Sequence, residues 1–358
     1  MKRDFLDMTD LSPAEIDALL DRAEQLQQGT ASADLGDALH RRVLAMIFFD
    51  PSLRTRTSFE VAMHLHGGHA LVLEPGRGSW PLETRRGAVM DGTTVEHIAD
   101  AARVLGRYAD ALAVRAFPKG TDWSVEREDR LIRDFAEYCE KPVINLESVR
   151  RHPCQGLADA LTLRQKLGPK KEALRGRRFV LTWAYHPKPL PTAVPASAAL
   201  AAAHLGMEVV LAHPPGYELD GEDLSALRAS CTASGGSLRT EHDPDAALEG
   251  AEAVYVKSWG ALGAFGRPAD EAVLRAPHRH WTFSTERLRR TRDGRAVVMH
   301  CLPVRRNVEV EDAVLDGPSS AVVDQAENRL HVQRALLLHL LTGHPLTGPS
   351  ARSQKETT

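Results

Sequence analysis

Residues 48–60 read FFDPSLRTRTSFE, which places Ser52, Arg54 and Thr55 just after an apolar run, where a strand would pass into a helix. The first amides of a helix have no intrahelical partner and carry the positive end of its macrodipole, so a helix starting near Ser52 is a ready anion site. Arg54 adds a planar, permanent cation suited to phosphate or carboxylate oxygens, and Ser52 and Thr55 add hydroxyls. On this segment alone a plainer reading weighs equally: Ser52 as a simple N-cap, with Arg54 and Arg56 on a solvated face. Other segments shift the balance. Arg115 closes the run DALAV, and His152 and Gln155, three apart around a helix start, share a face that can address one carbonyl. Taken singly, Arg115 fits a salt bridge, and His152 with Gln155 fits a cap or a core polar pair. Taken together, three independent strand ends carrying carbonyl- or phosphate-binding groups outweigh those single readings.

Such groups converge at the carboxyl ends of strands in open parallel sheets. The first half of the chain supplies short β-rich runs at 43–49, 69–74, 110–116 and 142–147, the last ending on Glu147. Helical patterns lie between them, including VEHIADAARVLGRY, for which Thr93 and Glu96 predict a capping box. A long helical stretch from about residue 153, CQGLADALTLRQKLG, leads to further apolar runs at 178–184, 207–213, 253–259 and 296–303. These runs deliver His186, Lys257, and Cys301, Leu302 and Arg305 at or just beyond their ends. The order is that of two α/β domains in tandem, each a mainly parallel sheet flanked by helices. ENRLHVQRALLLHLL (327–341) is strongly helical and either closes the second domain or crosses back to the first. The tail 348–358 is polar and reads as frayed.

The composition narrows the function classes. At 358 residues the chain suits two domains, and 43% hydrophobic with 26% charged residues is ordinary for a globular protein. A net charge of −3 gives no reason to expect nucleic acid, although positive charge can still gather in a cleft. No apolar run reaches the roughly 18 residues of a membrane span, and the opening MKRDFLDMTDLSPAEIDALL lacks a secretory pattern, so a cytoplasmic location is expected. Cys139, Cys154, Cys231 and Cys301 form no CxxC pair and read as reduced thiols. His64, His66 and His69 give no consistent helix face; they are expected in surface and turn positions, with no metal and no cofactor.

S-x-R-T-R-T (from Ser52), H-P-x-Q (from His152) and H-C-L-P (from His300), in this order and at these separations, resemble the carbamoyltransferase family. YVKSWGAL stands where ornithine carbamoyltransferases carry D-x-x-x-S-M-G. With TWAYHPKPL (182–190), SWPLE (79–83) and CLPVRRN (301–307), it is similar to the N-acylornithine branch of the family. The resemblance implies two Rossmann-like domains joined by interdomain helices. Residues 1–152 would bind carbamoyl phosphate, 153–326 would bind the acylornithine, and a helix over 327–345 would pack back onto the first domain. It further implies that Ser52, Leu53 through its backbone, Arg54, Thr55, Arg115, His152, Gln155 and Arg329 surround carbamoyl phosphate, and that Glu147, His186, Lys257, Cys301, Leu302 and Arg305 hold the acylated amino acid. Trp80 would complete the pocket of a neighbouring subunit, which implies a homotrimer.

The reaction so implied is attack of a neutral δ-amine on the carbonyl carbon of carbamoyl phosphate. Charge grows on the carbonyl oxygen, where His152, Arg115 and Thr55 would act, with Arg54 and the helix amides on the departing phosphate. Cys301 as a nucleophile is disfavoured because the amine can attack directly. Two positions depart from the branch. Some acetylornithine enzymes carry a carboxylated lysine where this chain has Glu309; a glutamate keeps a permanent carboxylate of shorter reach and with it the electrostatic role, and the plainer reading is an exposed acid. Acetyl-specific relatives tend to carry an acid where this chain has Val95, and succinyl-using relatives a smaller uncharged residue; an acid there would repel a succinyl carboxylate. Other segments lie closer to the acetyl enzymes, so N-acetylornithine is the expected acceptor and N-succinylornithine the alternative. A non-catalytic phosphate-binding regulator is the reading of another class, and it requires gaps in the donor set.

Overall fold

The structure, a computed structural model, describes residues 2–168 and 171–343. Its first sheet comprises β1 (Val43–Phe48), β2 (His69–Leu73), β5 (Ala111–Arg115) and β6 (Val143–Glu147), all parallel, in the order β2-β1-β5-β6. A parallel pair of two-residue strands, β3 (Leu82–Glu83) and β4 (Glu96–His97), lies apart from it. The second sheet comprises β7 (Arg178–Trp183), β8 (Glu208–Ala212), β9 (Ser237–Glu241), β10 (Ala253–Lys257) and β11 (Val297–Met299), parallel in the order β11-β10-β7-β8-β9. Strands β1, β5, β6, β7, β8 and β10 are buried along nearly their whole length, as parallel strands covered on both faces must be.

Each sheet has a switch point where the strand order reverses, between β1 and β5 in the first and between β7 and β10 in the second. Ligands of open α/β sheets sit at such points because the connections leave in opposite directions and open a crevice. Two long helices tie the layers together. Pro153–Leu167 packs on the helices Pro13–Gln28 and Ala193–His204, and Val322–Thr342 packs on Pro13–Gln28, Leu53–His64 and Pro153–Leu167. The C-terminal helix thus lies over elements of the first half of the chain. The tail 348–358 and the last two positions of the 327–345 span lie outside the described residues.

Three local expectations are corrected, and one strand is added. The Ile98–Tyr108 helix does not start at the Thr93 capping box. Its N-cap is His97, whose side chain accepts from Ala99 N–H, because Glu96 and His97 are drawn into an extended pairing with Leu82 and Glu83. β9 was not foreseen, since SLRTE is polar and half-exposed at a sheet edge and lacks an apolar alternation. His66 is in a turn but is not a surface residue: it is 1% exposed, and its Nε2 accepts from Arg334 Nε at 3.0 Å. Glu309 is not an exposed acid either, being 1% exposed in the wall of the central cavity. Among the described residues, no helix is long and apolar enough to cross a membrane.

Candidate active site

The two switch points face one cavity of about 630 Å³, within the usual range for small-ligand sites. Its first wall begins where β1 ends. Ser52 is extended and caps the Leu53–His64 helix, its Oγ accepting from Thr55 N–H at 3.2 Å. Asp50 accepts from Phe117 N–H at 2.7 Å and so anchors the loop after β5 to the turn after β1. Arg54 is half-buried in the cavity wall, and its side chain makes no hydrogen bond or ion pair among the described residues. Burial pulls its pKa below the ordinary arginine value. It is a cation positioned without an acceptor of its own.

At the end of β5 the ladder slips: Val114 faces Asn145, but Arg115 faces Glu147, past Leu146. Irregularities of this kind re-aim side chains next to functional sites. Here the slip brings the Arg115 guanidinium onto the Glu147 carboxylate, both buried, and the same carboxylate lies 3.5 Å from His152 Nε2. His152 is held through its backbone N–H, which donates to Ser197 Oγ at 2.9 Å, while its Nδ1 is buried without a partner among the described residues. Burial, followed by the fields of Arg329, Arg115 and Arg54, holds its pKa well below the usual histidine value. The imidazole is therefore neutral and has one N–H to offer.

Arg329 reaches the site from the C-terminal helix. It is 2% exposed and donates to Thr55 Oγ1 at 3.1 Å and Gln155 Oε1 at 2.9 Å; with the Gln333 amide oxygen turned toward it, its Nε has a third acceptor at 3.1 Å. It makes no ion pair among the described residues.

The opposite wall comes from the second sheet. His186, beyond β7, accepts from Arg305 Nε through its Nε2 at 2.8 Å, so its Nδ1 carries the proton and donates to the Lys188 carbonyl at 2.7 Å. Lys257 ends β10 and is 7% exposed, and its side chain makes no hydrogen bond or ion pair among the described residues. After β11, Leu302 N–H donates to His300 Nδ1 at 2.9 Å, so that nitrogen is an acceptor and Nε2 carries the proton, facing Glu309 Oε1 at 3.5 Å. Glu309 Oε2 accepts from Arg305 N–H at 2.9 Å. Burial favours the neutral acid at Glu309, but His300, Lys257 and the Arg305 amide outweigh it and keep the carboxylate ionised. Cys301 is the reverse case, since burial raises its thiol pKa despite Lys257.

The cavity thus gathers Ser52, Leu53, Arg54, Thr55, Arg115, Glu147, His152, Gln155, His186, Lys257, Cys301, Leu302, Arg305 and Arg329. Five of its side chains are cationic and two are carboxylates, an excess suited to an anion in a chain whose net charge is −3. Trp80 and Val95 stand apart from this cavity. They are 56% and 68% exposed, and the Trp80 indole N–H donates to Glu96. The sequence reading missed the apolar lining from Phe117, Leu190, Pro191 and Val194, and it missed the buried Asp159 and Gln325 beneath Gln155. Asp159 carried a faint signal in its spacing of four from Gln155 along one helix.

Two crevices that meet over a phosphate-compatible helix start and a carbonyl-directed His–Gln pair define a two-domain group-transfer enzyme. The carbamoyl-P binding domain model of the aspartate/ornithine carbamoyltransferases matches residues 3–165, and their Asp/Orn binding domain model matches residues 191–340. The chain belongs to the aspartate/ornithine carbamoyltransferase family. It is 49% identical over 337 residues to the N-acetylornithine carbamoyltransferase of Xanthomonas axonopodis pv. citri, covering 94% of this chain and 96% of that protein. It is 36% identical over 302 residues to the N-succinylornithine carbamoyltransferase of Bacteroides thetaiotaomicron, covering 84% and 88%. The crystal structure of an acetylornithine transcarbamylase complexed with acetylcitrulline superposes with a TM-score of 0.90 at 48% identity, covering 94% of this chain and 99% of that one.

Proposed function

We propose that this chain transfers the carbamoyl group of carbamoyl phosphate to the δ-amine of N-acetyl-L-ornithine, giving N-acetyl-L-citrulline and phosphate in arginine biosynthesis. The observation that carries this reading is the unpaired Arg54 beside the Ser52-capped helix start, in one cavity with buried Arg115, His152, Gln155 and Arg329. A dianionic phosphoryl group fits the helix amides and Arg54. The carbonyl oxygen then faces Thr55, Arg115 and neutral His152, which donate more strongly as charge develops there than they do to the ground state. Arg115 keeps donors beyond the one on Glu147, and the His152 N–H needs no proton from solvent. The amine attacks the carbonyl carbon, the C–O bond to phosphate breaks, and the departing phosphate takes the amine's proton.

Glu147, His186, Lys257, Leu302 and Arg305, with the backbone at Cys301, receive the acylated amino acid. Lys257 and Arg305 suit its carboxylate, and Glu147 suits its cationic amine before deprotonation. In this reading residues 1–152, with the returning C-terminal helix, serve carbamoyl phosphate, and residues 153–326 serve the acceptor. The acetyl group is favoured over succinyl by the higher identity to acetylornithine enzymes across nearly the whole chain. A regulator that only binds phosphate would lack part of the donor set, and no matched position is missing. The test is product formation from N-acetylornithine, N-succinylornithine and ornithine. N-acetylcitrulline should dominate, and better use of plain ornithine would overturn the branch. Val95→Glu should suppress any succinyl turnover, whereas unchanged succinyl turnover would remove Val95 from the acyl pocket.

The assembly proposed is a homotrimer in which Trp80 enters the neighbouring site. Trp80, Val89, Met90 and Val95 are exposed in one stretch of chain, and Trp80 lies outside the cavity of its own chain. Mixing two inactive variants, Trp80→Ala and Arg54→Met, should restore activity through hybrid sites. A monomer by sedimentation would refute the arrangement.

A further inference from the structure

Beneath the site lies a carboxyl group that the reaction does not call on. Asp159 is fully buried on the Pro153–Leu167 helix, one turn beyond Gln155. Its Oδ1 accepts from two amides, Gln155 Nε2 at 2.7 Å and Gln325 Nε2 at 2.6 Å. With its nitrogen so held, Gln155 must turn its oxygen to the cavity, where it accepts from Arg329 at 2.9 Å. Gln325, held the same way, turns its oxygen to the backbone N–H of His300 at 2.9 Å, at the start of the turn that carries Cys301 and Leu302. A primary amide has two nearly isosteric orientations. Arg329 and the His300 amide can only donate, so the wrong orientation would set donor against donor on either arm.

We propose that Asp159 is a positioning residue for both substrates: one oxygen fixes the Gln155 amide for the carbamoyl phosphate side and the Gln325 amide for the acylornithine side. This inference rests on the carbamoyltransfer reading of the cavity. What the two amides need is an acceptor at Oδ1 and not a negative charge. Burial raises the Asp159 pKa to about 7, against the Gln155 and Gln325 hydrogen bonds and the Arg329 field. Among the described residues the other oxygen, Oδ2, meets no hydrogen-bond partner of good geometry, so a proton or an amide nitrogen at that position leaves Oδ1 free to accept. The arrangement also joins the two sheets, because the His300 turn belongs to β11 and Gln155 to the helix that follows β6.

The experiment compares Asp159→Ala, Asp159→Asn and Gln325→Leu with the wild type, measuring KM for each substrate and kcat alongside melting temperature. Asp159→Ala should raise both KM values by about tenfold or more, the effect of losing one oriented hydrogen bond at each arm. Asp159→Asn, which keeps the acceptor, should return both to within about threefold of the wild type. Gln325→Leu should raise the KM for N-acetylornithine and leave that for carbamoyl phosphate in place, and it carries the test if Asp159→Ala does not accumulate folded. A purely structural Asp159 would lower the melting temperature and the active fraction with both KM values unmoved, which would overturn the proposal. So would an Asp159→Asn enzyme as impaired as Asp159→Ala, or a Gln325→Leu enzyme impaired equally toward both substrates. A wild-type chain that carbamoylates no acylornithine would instead overturn the reading of the cavity itself.

Discussion

Arg54→Met separates what the site does from what the fold needs. Arg54 is a half-buried guanidinium with no acceptor among the described residues, and burial already disfavours its charged form. Desolvating an unpaired ion costs several kcal/mol when burial is complete; solvent screening of a half-exposed group reduces that to about 1 kcal/mol. Methionine fills the stem's volume without the charge, so the unliganded variant should be more stable. For a chain of this length, about 1 kcal/mol corresponds to about 1–2 °C in Tm. Catalysis should move the other way. Removing a cation from the departing phosphate should lower kcat/KM by about 10²-fold to 10³-fold, the usual cost of losing one charge-stabilising donor. Phosphate at about 100 times its Kd stabilises a binding protein by about 2.7 kcal/mol, which is about 4 °C here. That shift should appear in the wild type and largely vanish in the variant. Thermal melts with and without inorganic phosphate, paired with citrulline-product kinetics, read both effects. An Arg54→Met protein that melts lower, keeps its phosphate shift and loses less than tenfold in kcat/KM would refute the assignment.

The other predictions concern single groups. Cys301→Ser should keep turnover within about tenfold of the wild type, and the thiol should resist alkylation at pH 7 because burial raises its pKa; loss of a true nucleophile would cost about 10⁶-fold. His152 should remain neutral at pH 6 by NMR, so an acid limb in the rate profile near that pH belongs to another group. Its depressed pKa also has a linkage sign: the unfolded histidine takes a proton below about 6.5 while the folded one does not, so stability falls as pH drops through that value. His152→Gln should flatten that slope, and an unchanged slope would refute the neutral assignment. Glu309→Gln keeps an oxygen for the Arg305 amide but removes the charge facing His300 and Lys257; it should raise the KM for N-acetylornithine by about tenfold with that for carbamoyl phosphate unmoved.

The parallel αβ order, the positions of eight strands, and the placing of Arg54, Arg115, His152, Lys257 and Arg305 at their carboxyl ends were all legible in the sequence. The reason is that buried parallel strands write continuous apolar runs, and polar residues at the ends of such runs stand out. Elements settled by pairing and not by pattern were not legible. The extended Glu96–His97 pair displaced a good capping box because Leu82 and Glu83 offered it backbone partners, and the polar edge strand β9 exists only because β8 is beside it. Burial was equally hidden: Glu309 and His66 look like surface residues until His300, Arg305 and Arg334 are brought against them. Only the tertiary structure assembled the cavity, since Thr55 and Arg329 lie 274 positions apart and Gln155 and Arg329 lie 174 apart. A local pattern records which side chains a strand end presents. The depth at which they are buried, and the charges they meet there, come from distant segments packed against them, and those set the protonation of His152, Asp159 and Glu309.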